Sequence, residues 1–216
     1  MKELVIVGAG GFARETASAA VAAGWQVRGF VDDDPALHGT VRSGWPILGP
    51  VDSVLEMTTP VVVCVGNPTN YTTRRRIVDR LGLPEQRYAT VVHPSAVVGA
   101  RCVVGRGSVL LAGTVLTADV TVGAHVAVMP QVVLTHDDLI GDYATITSGV
   151  RVGGSVVLET GAYVGAGALI REGVTVGAWS QIGMGSVVLR DVPPDEVWVG
   201  SPARFLRSAK LEELTS

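Results

Sequence analysis

The stretch TVGAHV AVMPQV VLTHDD LIGDYA TITSGV (121–150) carries an aliphatic residue at the second place of every block of six: Val122, Val128, Leu134, Ile140 and Ile146. Stepping outward in sixes extends that series unbroken to Val92 in one direction and Val188 in the other. Four residues after each anchor the side chain is short, from Ala96, Cys102 and Ser108 to Ser180, Ser186 and Val192; Asp138 alone breaks this second series. The residue following the anchor is often glycine, as at Gly99, Gly105, Gly123, Gly141, Gly153, Gly165, Gly177 and Gly183. A strict period of six fits neither an α-helix nor a heptad coil. It is the hexapeptide repeat of a parallel β-helix, in which each hexad makes a short strand and a corner. Three hexads close one triangular coil, left-handed in this repeat class, so about five and a half coils are expected. At one strand layer per coil the prism is about 25 Å long. The anchors should stack inside it, the short residues should fill the corners, and glycine should supply corner conformations that a Cβ disfavours.

This geometry accounts for a lopsided composition. Of 216 residues only 5% are aromatic and 17% charged, and the mean hydropathy is +0.38. No apolar run approaches the roughly 18 residues of a membrane span. MKELVIVGAGG enters a glycine-rich loop too early for a secretory signal. A net charge of −3 gives no electrostatic case for nucleic acid or an anionic membrane surface. Cys64 and Cys102 form neither a disulfide framework nor a metal-ligand spacing. A cytoplasmic protein is expected.

Residues 1–90 have another pattern. LVIVGAG, the helical stretch RETASAAVAAG and WQVRGFVDDD read as strand, glycine-rich turn, helix and strand, a Rossmann-like βαβ unit. PVVVCVGN (60–67) adds a strand, and TNYTTRRRIVDRLG a second helix. The expected architecture is an α/β Rossmann-like domain (1–90) followed by a left-handed β-helix domain (91–216) that ends in a short C-terminal helix. Gly8, Gly10 and Ala13 satisfy G-x-G-x-x-G/A, with Asp32 placed downstream for a ribose. The loop precedes a helix whose N-terminal amides can receive an anion. Three readings compete: a nucleotide-sugar site, which is preferred, a structural tight turn, and an NAD site. The last is disfavoured because about 90 residues make half a dinucleotide fold.

The four histidines separate by context. His38 in DDDPALHGT and His125 in VGAHVA read as solvated surface, and His93 before Pro94 as structural. His93, His125 and His136 occupy different hexad positions, so no shared metal site is expected. His136 sits in LTHDDL, the hexad that breaks the short-residue rule and follows its histidine with two carboxylates. Breaks in a regular scaffold mark function. An imidazole is the side-chain base matched to neutral pH, and an adjacent carboxylate can orient it and stabilise its cation.

Taken together, GAGGFARE (8–15), GFVDDD (29–34), VGN (65–67), HPSA (93–96), THDDLIGDY (135–143) and VGSPAR (199–204) resemble, in order and spacing, the NeuD-like sugar acetyltransferases. That family includes PglD-type N-acetyltransferases of UDP-linked 4-amino sugars and similar enzymes for GDP-perosamine. The resemblance implies a homotrimer with active sites between adjacent prisms and acetyl-CoA as co-substrate. His136 would be the general base and Asp137 its acidic partner. Gly10, Gly11, Phe12, Asp32, Asp33 and Gly66 fall where the nucleotide-sugar is held. Ala166, Gly183 and Met184 fall where acetyl-CoA is contacted. Three positions depart from the family pattern. Thr145 replaces a histidine that meets the acyl group, Asp138 replaces a cysteine, and Phe12 replaces a histidine of the glycine-rich loop. An unpaired Asp138 at an inward corner would cost several kcal/mol, so it should be paired, protonated or swung outward.

The function expected is an acetyl-CoA-dependent N- or O-acetyltransferase acting on a nucleotide-activated sugar, with direct transfer, since no Cys or Ser is placed for a covalent intermediate. The enzymatic alternative changes the acceptor or the acyl-CoA. The non-enzymatic one is a trimer that binds nucleotide-sugar or CoA without turnover.

Overall fold

The structure, a computed structural model, describes residues 2–66 and 68–209. Strand β1 (Lys2–Val7) runs into the glycine-rich turn and helix α1 (Gly11–Ala22), and β2 (Trp25–Val31) returns beside it. A small hairpin of β3 (Val41–Arg42) and β4 (Trp45–Pro46) follows. Then β5 (Val61–Val63) and α2 (Thr73–Leu81) complete the unit. The sheet is parallel with order β2-β1-β5. Ala13, Ala17 and Ala20 form the buried face of α1, and such short side chains let the helix lie close to its neighbours. That neighbour is partly the prism. Leu4, Ile6, Ala13 and Ala17 share one apolar cluster with Val91, Val109 and Leu111 of the coil.

From Val91 onward the chain winds a three-sided parallel β-helix. The first face stacks six strands from Val97–Ala100 to Val187–Val188, and the second five, from Val103–Val104 to Thr175–Val176. The third holds Val91–Val92, Val109–Leu110, Ala127–Val128, Thr145–Ile146, Tyr163–Val164 and Gln181–Ile182. Each strand pairs in parallel with the one three hexads on, as Val115 with Val133 and Thr145 with Tyr163. The anchors from Leu110 to Val188 are buried, each contributing about 1.5–3 kcal/mol. At the open first coil Val98 is still 42% exposed, because no layer covers it.

Two expectations need correction. Positive φ falls on the third residue after the anchor, as at His125 (55°), Asp137 (64°) and Tyr143 (61°), and not on the glycine directly after it. Those glycines answer a different demand: a Cβ on Gly141 would stand 2.6 Å from the Thr160 backbone nitrogen of the next coil. They allow coils to stack closely. The tail, moreover, closes the third face with strands Glu196–Val199 and Arg204–Ser208, an antiparallel pair. The expected C-terminal helix is therefore not found there, and residues 210–216 lie outside the described residues. Among the described residues no helix is long and apolar enough to cross a membrane.

Candidate active site

His136 and Asp137 project from the corner between the first and second faces, linking strands Val133–Leu134 and Leu139–Ile140. Asp138 anchors that corner from within. It is fully buried, and its two oxygens accept the backbone N–H groups of Thr135 (2.8 Å) and Val156 (3.0 Å). The carboxylate thus satisfies two amides at once, one from its own turn and one from the next coil. Burial pushes its pKa up to about 6, against the pull of those two amides. With Asp138 turned in, His136 and Asp137 are free to face out. Their side chains are 65% and 61% exposed, and Nδ1 of the ring lies 2.8 Å from Asp137 Oδ2. With the ionised carboxylate accepting from Nδ1–H, the lone pair is on Nε2.

The ring also needs Gly154. A Cβ there would overlap His136 Cε1 and Nε2. Nothing in the hexad pattern marks this glycine, which lies one coil away. Gly154→Ala is expected to keep stability within about 0.5 kcal/mol, because the exposed ring can swing aside. The His136–Asp137 bond should be lost, and imidazole 15N shifts with a melting curve would read both effects.

The N-terminal loop presents a second set. Gly10 and Gly11 have open space where side chains would stand, at the amino end of α1. Asp32 accepts Ala9 N–H at 2.8 Å and Asp34 N–H at 3.0 Å, so it braces the loop itself. Asp33 accepts Val51 N–H at 3.0 Å and pairs with Arg80 at 2.8 Å. Burial alone would raise its pKa, but the Val51 amide and Arg80 outweigh it and hold the carboxyl low. Phe12 packs partly buried against the domain core. Gly66 lies across from the loop, in the turn after β5; a Cβ on Gly8 would come within 2.7 Å of Val65 Cγ1.

Thr145 lies on the third face, beneath the N-terminal unit. Its hydroxyl accepts from Arg74 Nη2 at 2.7 Å. That guanidinium, 2% exposed, also donates to the carbonyls of Tyr143 (2.8 Å), Ala144 (3.1 Å) and Val65 (3.4 Å). Burial pulls its pKa down to about 10. The run RRRIVDRL marks a helix in the sequence; nothing local shows that the first arginine enters the joint between the two units. A nearby clasp has the same origin: Tyr71 O–H donates to Trp179 O at 2.7 Å.

His125 is not surface. It is 6% exposed, stacked on Tyr143 at 5.3 Å and met edge-on by Tyr88 at 4.6 Å. Its corner position would be solvated on a bare prism, but the N-terminal unit covers it. Ala166 and Met184 occupy the corner between the third and first faces, and Met184 is 80% exposed. Gly183 precedes it, close against Val199. Within one chain, therefore, His136, the Met184 corner and the glycine-rich loop belong to separate edges of the molecule. Among the described residues, no three His, Cys, Asp or Glu side chains gather as a metal site.

Residues 3–81 match the family model described as the PglD N-terminal domain. The acetyltransferase domain of PglB from Neisseria gonorrhoeae superposes with a TM-score of 0.84 at 28% identity, covering 95% of this chain and 100% of that one. It has also been solved in complex with acetyl coenzyme A. A variant of GDP-perosamine N-acetyltransferase from Caulobacter crescentus, in complex with CoA and GDP-perosamine, gives 0.85 at 25% identity, covering 96% and 98%. WeeI from Acinetobacter baumannii gives 0.82 at 26%, covering 95% and 100%. No curated protein sequence matches.

Proposed function

We propose that the chain is a NeuD/PglD-like acetyltransferase, and that it moves an acetyl group from acetyl-CoA to the amine or hydroxyl of a nucleotide-activated sugar, preferably an amino sugar. The observation that carries the chemistry is the exposed His136 ring bonded through Nδ1 to Asp137. Nε2 removes a proton from the acceptor as its nitrogen or oxygen attacks the thioester carbonyl. Asp137 stabilises the imidazolium that forms. Backbone amides hold the tetrahedral oxyanion. Its collapse breaks the carbon–sulfur bond, and the proton on Nε2 passes to the departing CoA thiolate.

The active enzyme is read as a homotrimer. Two observations support this. The three residue sets lie on separate edges of one chain, and the faces flanking His136 carry outward aliphatic side chains, including Val103 (58% exposed), Val97 (56%), Leu139 (49%) and Leu169 (46%). A neighbouring prism seated on these faces would cover them and bring its own Met184 corner toward His136. The Rossmann-like unit of about residues 1–90 would hold the nucleotide through Gly10, Gly11, Phe12, Asp32, Asp33 and Gly66. Ala166, Gly183, Met184 and Thr145 would contact the CoA thioester. Both co-substrates are water-soluble, and the reaction is assigned to the cytoplasm.

A second reading keeps the chemistry but changes the acceptor or the acyl chain. It is favoured by Thr145, a neutral hydroxyl already engaged by Arg74. Thiol release from acetyl-CoA should appear with at least one of the UDP-, GDP- or dTDP-amino sugars. CoA binding without turnover on any of them would move the assignment to the second reading. Binding of both ligands with no transfer on any acceptor would mark a non-catalytic binding protein.

A further inference from the structure

Arg74 is a cation buried without a counter-charge. It is 2% exposed, and among the described residues its hydrogen-bond partners are three carbonyls and one hydroxyl, with no carboxylate. Its Nε is buried and has no partner among the described residues. The ionisable groups closest to it in effect are Cys64, Tyr143 and His125. Burial raises the first two pKa values and lowers the third, so all three are neutral near pH 7. A guanidinium removed from water costs free energy unless its charge is met.

The place it occupies indicates what meets it. Nη1 lies 3.9 Å from where a Cβ on Gly66 would stand, so the charge sits directly behind the Val65–Gly66 turn. That turn touches Gly8, and the loop leads through Gly10 and Gly11 into the amino end of α1. A buried positive charge therefore lies behind one turn, and the amino end of α1, with no side-chain cap, follows the other. Among the described residues, nothing lies within 4 Å of where a Cβ on Gly10 or Gly11 would stand.

We propose that Arg74 is the charge that selects and positions the diphosphate of the nucleotide ligand over the Gly8–Gly11 and Val65–Gly66 turns. The inference rests on the nucleotide-sugar reading and adds to it a residue from α2. Because the same guanidinium holds Val65, Tyr143, Ala144 and Thr145, it fixes the Val65–Gly66 turn relative to the prism. The charge acts through the backbone of Gly66, so Arg74 is a positioning residue and not a catalytic one.

The test is calorimetric titration of the full chain with UDP, GDP and dTDP, with CoA as control and inorganic pyrophosphate as competitor. Arg74→Gln keeps two N–H donors for the four acceptors but removes the charge, and Arg74→Lys keeps the charge with three donors. Arg74→Gln should weaken the bound nucleoside diphosphate about tenfold or more and abolish competition by pyrophosphate. Arg74→Lys, still a point charge for phosphate, should stay within about threefold, and the affinity for free CoA, which lacks the acyl group that Thr145 would meet, should be unchanged in both. A purely structural role would weaken binding equally in both variants, or reduce CoA affinity as well, and either result overturns the proposal. Full affinity in Arg74→Gln overturns it too, while leaving acetyl transfer to a nucleotide sugar intact. If the wild type binds none of the three diphosphates, the reading beneath fails and this inference with it. If Arg74→Gln does not fold, the wild type still decides. Pyrophosphate should raise its Tm and compete with the nucleotide, and absence of both effects rejects the site.

Discussion

Acetyl transfer by the His136→Ala variant is expected to fall about 10²–10⁴-fold in kcat, the usual worth of a positioned general base. The KM values for acetyl-CoA and acceptor should change little, because a general base at His136 would act on a proton that moves only during reaction. Asp137→Asn should also lower kcat, by up to about 10⁴-fold, since an amide that donates to Nδ1 leaves the ring proton on Nε2 and cannot stabilise the imidazolium. Neither variant should unfold the protein: both side chains are more than half exposed and share only their mutual bond. Thiol release from acetyl-CoA, with a melting curve for each variant, checks all of this. Turnover that persists in His136→Ala would remove the general-base assignment.

The second large effect concerns stability and pH, where two buried groups of the prism oppose each other. His125 has a pKa lowered from 6.5 to about 4, first by burial and then by the charge of Arg74. Between these values the unfolded chain binds a proton that the folded chain refuses, so this group destabilises the fold as pH falls from about 6.5 to 4. Asp138 has a pKa raised from 3.8 to about 6 by burial. Between those values the folded chain keeps a proton that the unfolded chain has released, so this group's stability is lost as pH rises to about 6. Each is worth about 3 kcal/mol at 1.4 kcal/mol per unit, and in the wild type they nearly cancel. His125→Asn suits the left-handed φ of 55° at that corner. It should unmask Asp138, leaving a protein about 3 kcal/mol better preserved at pH 4 relative to pH 7 than the wild type. Asp138→Ser, a residue that other corners carry at Ser180 and Ser186, should show the opposite slope. Urea unfolding from pH 4 to 7.5 measures both, and parallel profiles in the three proteins would refute the pairing.

Much of this molecule can be read from its hexads because every contact in a β-helix joins residues at a fixed offset. The Leu134 ladder, the short corner residues and the outward turn of His136 all follow from position within the repeat. The odd placement of Asp138 could also be anticipated, since a buried carboxylate must find donors, and it finds them in Thr135 and Val156. The role of glycine was harder. Periodicity shows that Gly141 recurs after an anchor, but only the spacing of two coils shows that a Cβ would strike Thr160.

His125, Gly154 and Arg74 mark where sequence patterns stop. His125 stands at an outward corner, and its burial comes from Tyr88 of the N-terminal unit. Gly154 makes room for His136 across a coil. Arg74 reads as one of three helical arginines, yet it is held by residues 143–145, about seventy positions away. By itself the sequence determined the repeat, the prism, the strand–turn–helix opening and the His136–Asp137 pair, because each depends on offsets of a few residues or of whole hexads. Only the tertiary structure decided how the N-terminal unit seats on the third face, and with that which corner is dry, which charge is buried and which glycine must stay bare. Those outcomes depend on surfaces that meet through packing between units, and no local spacing encodes that meeting.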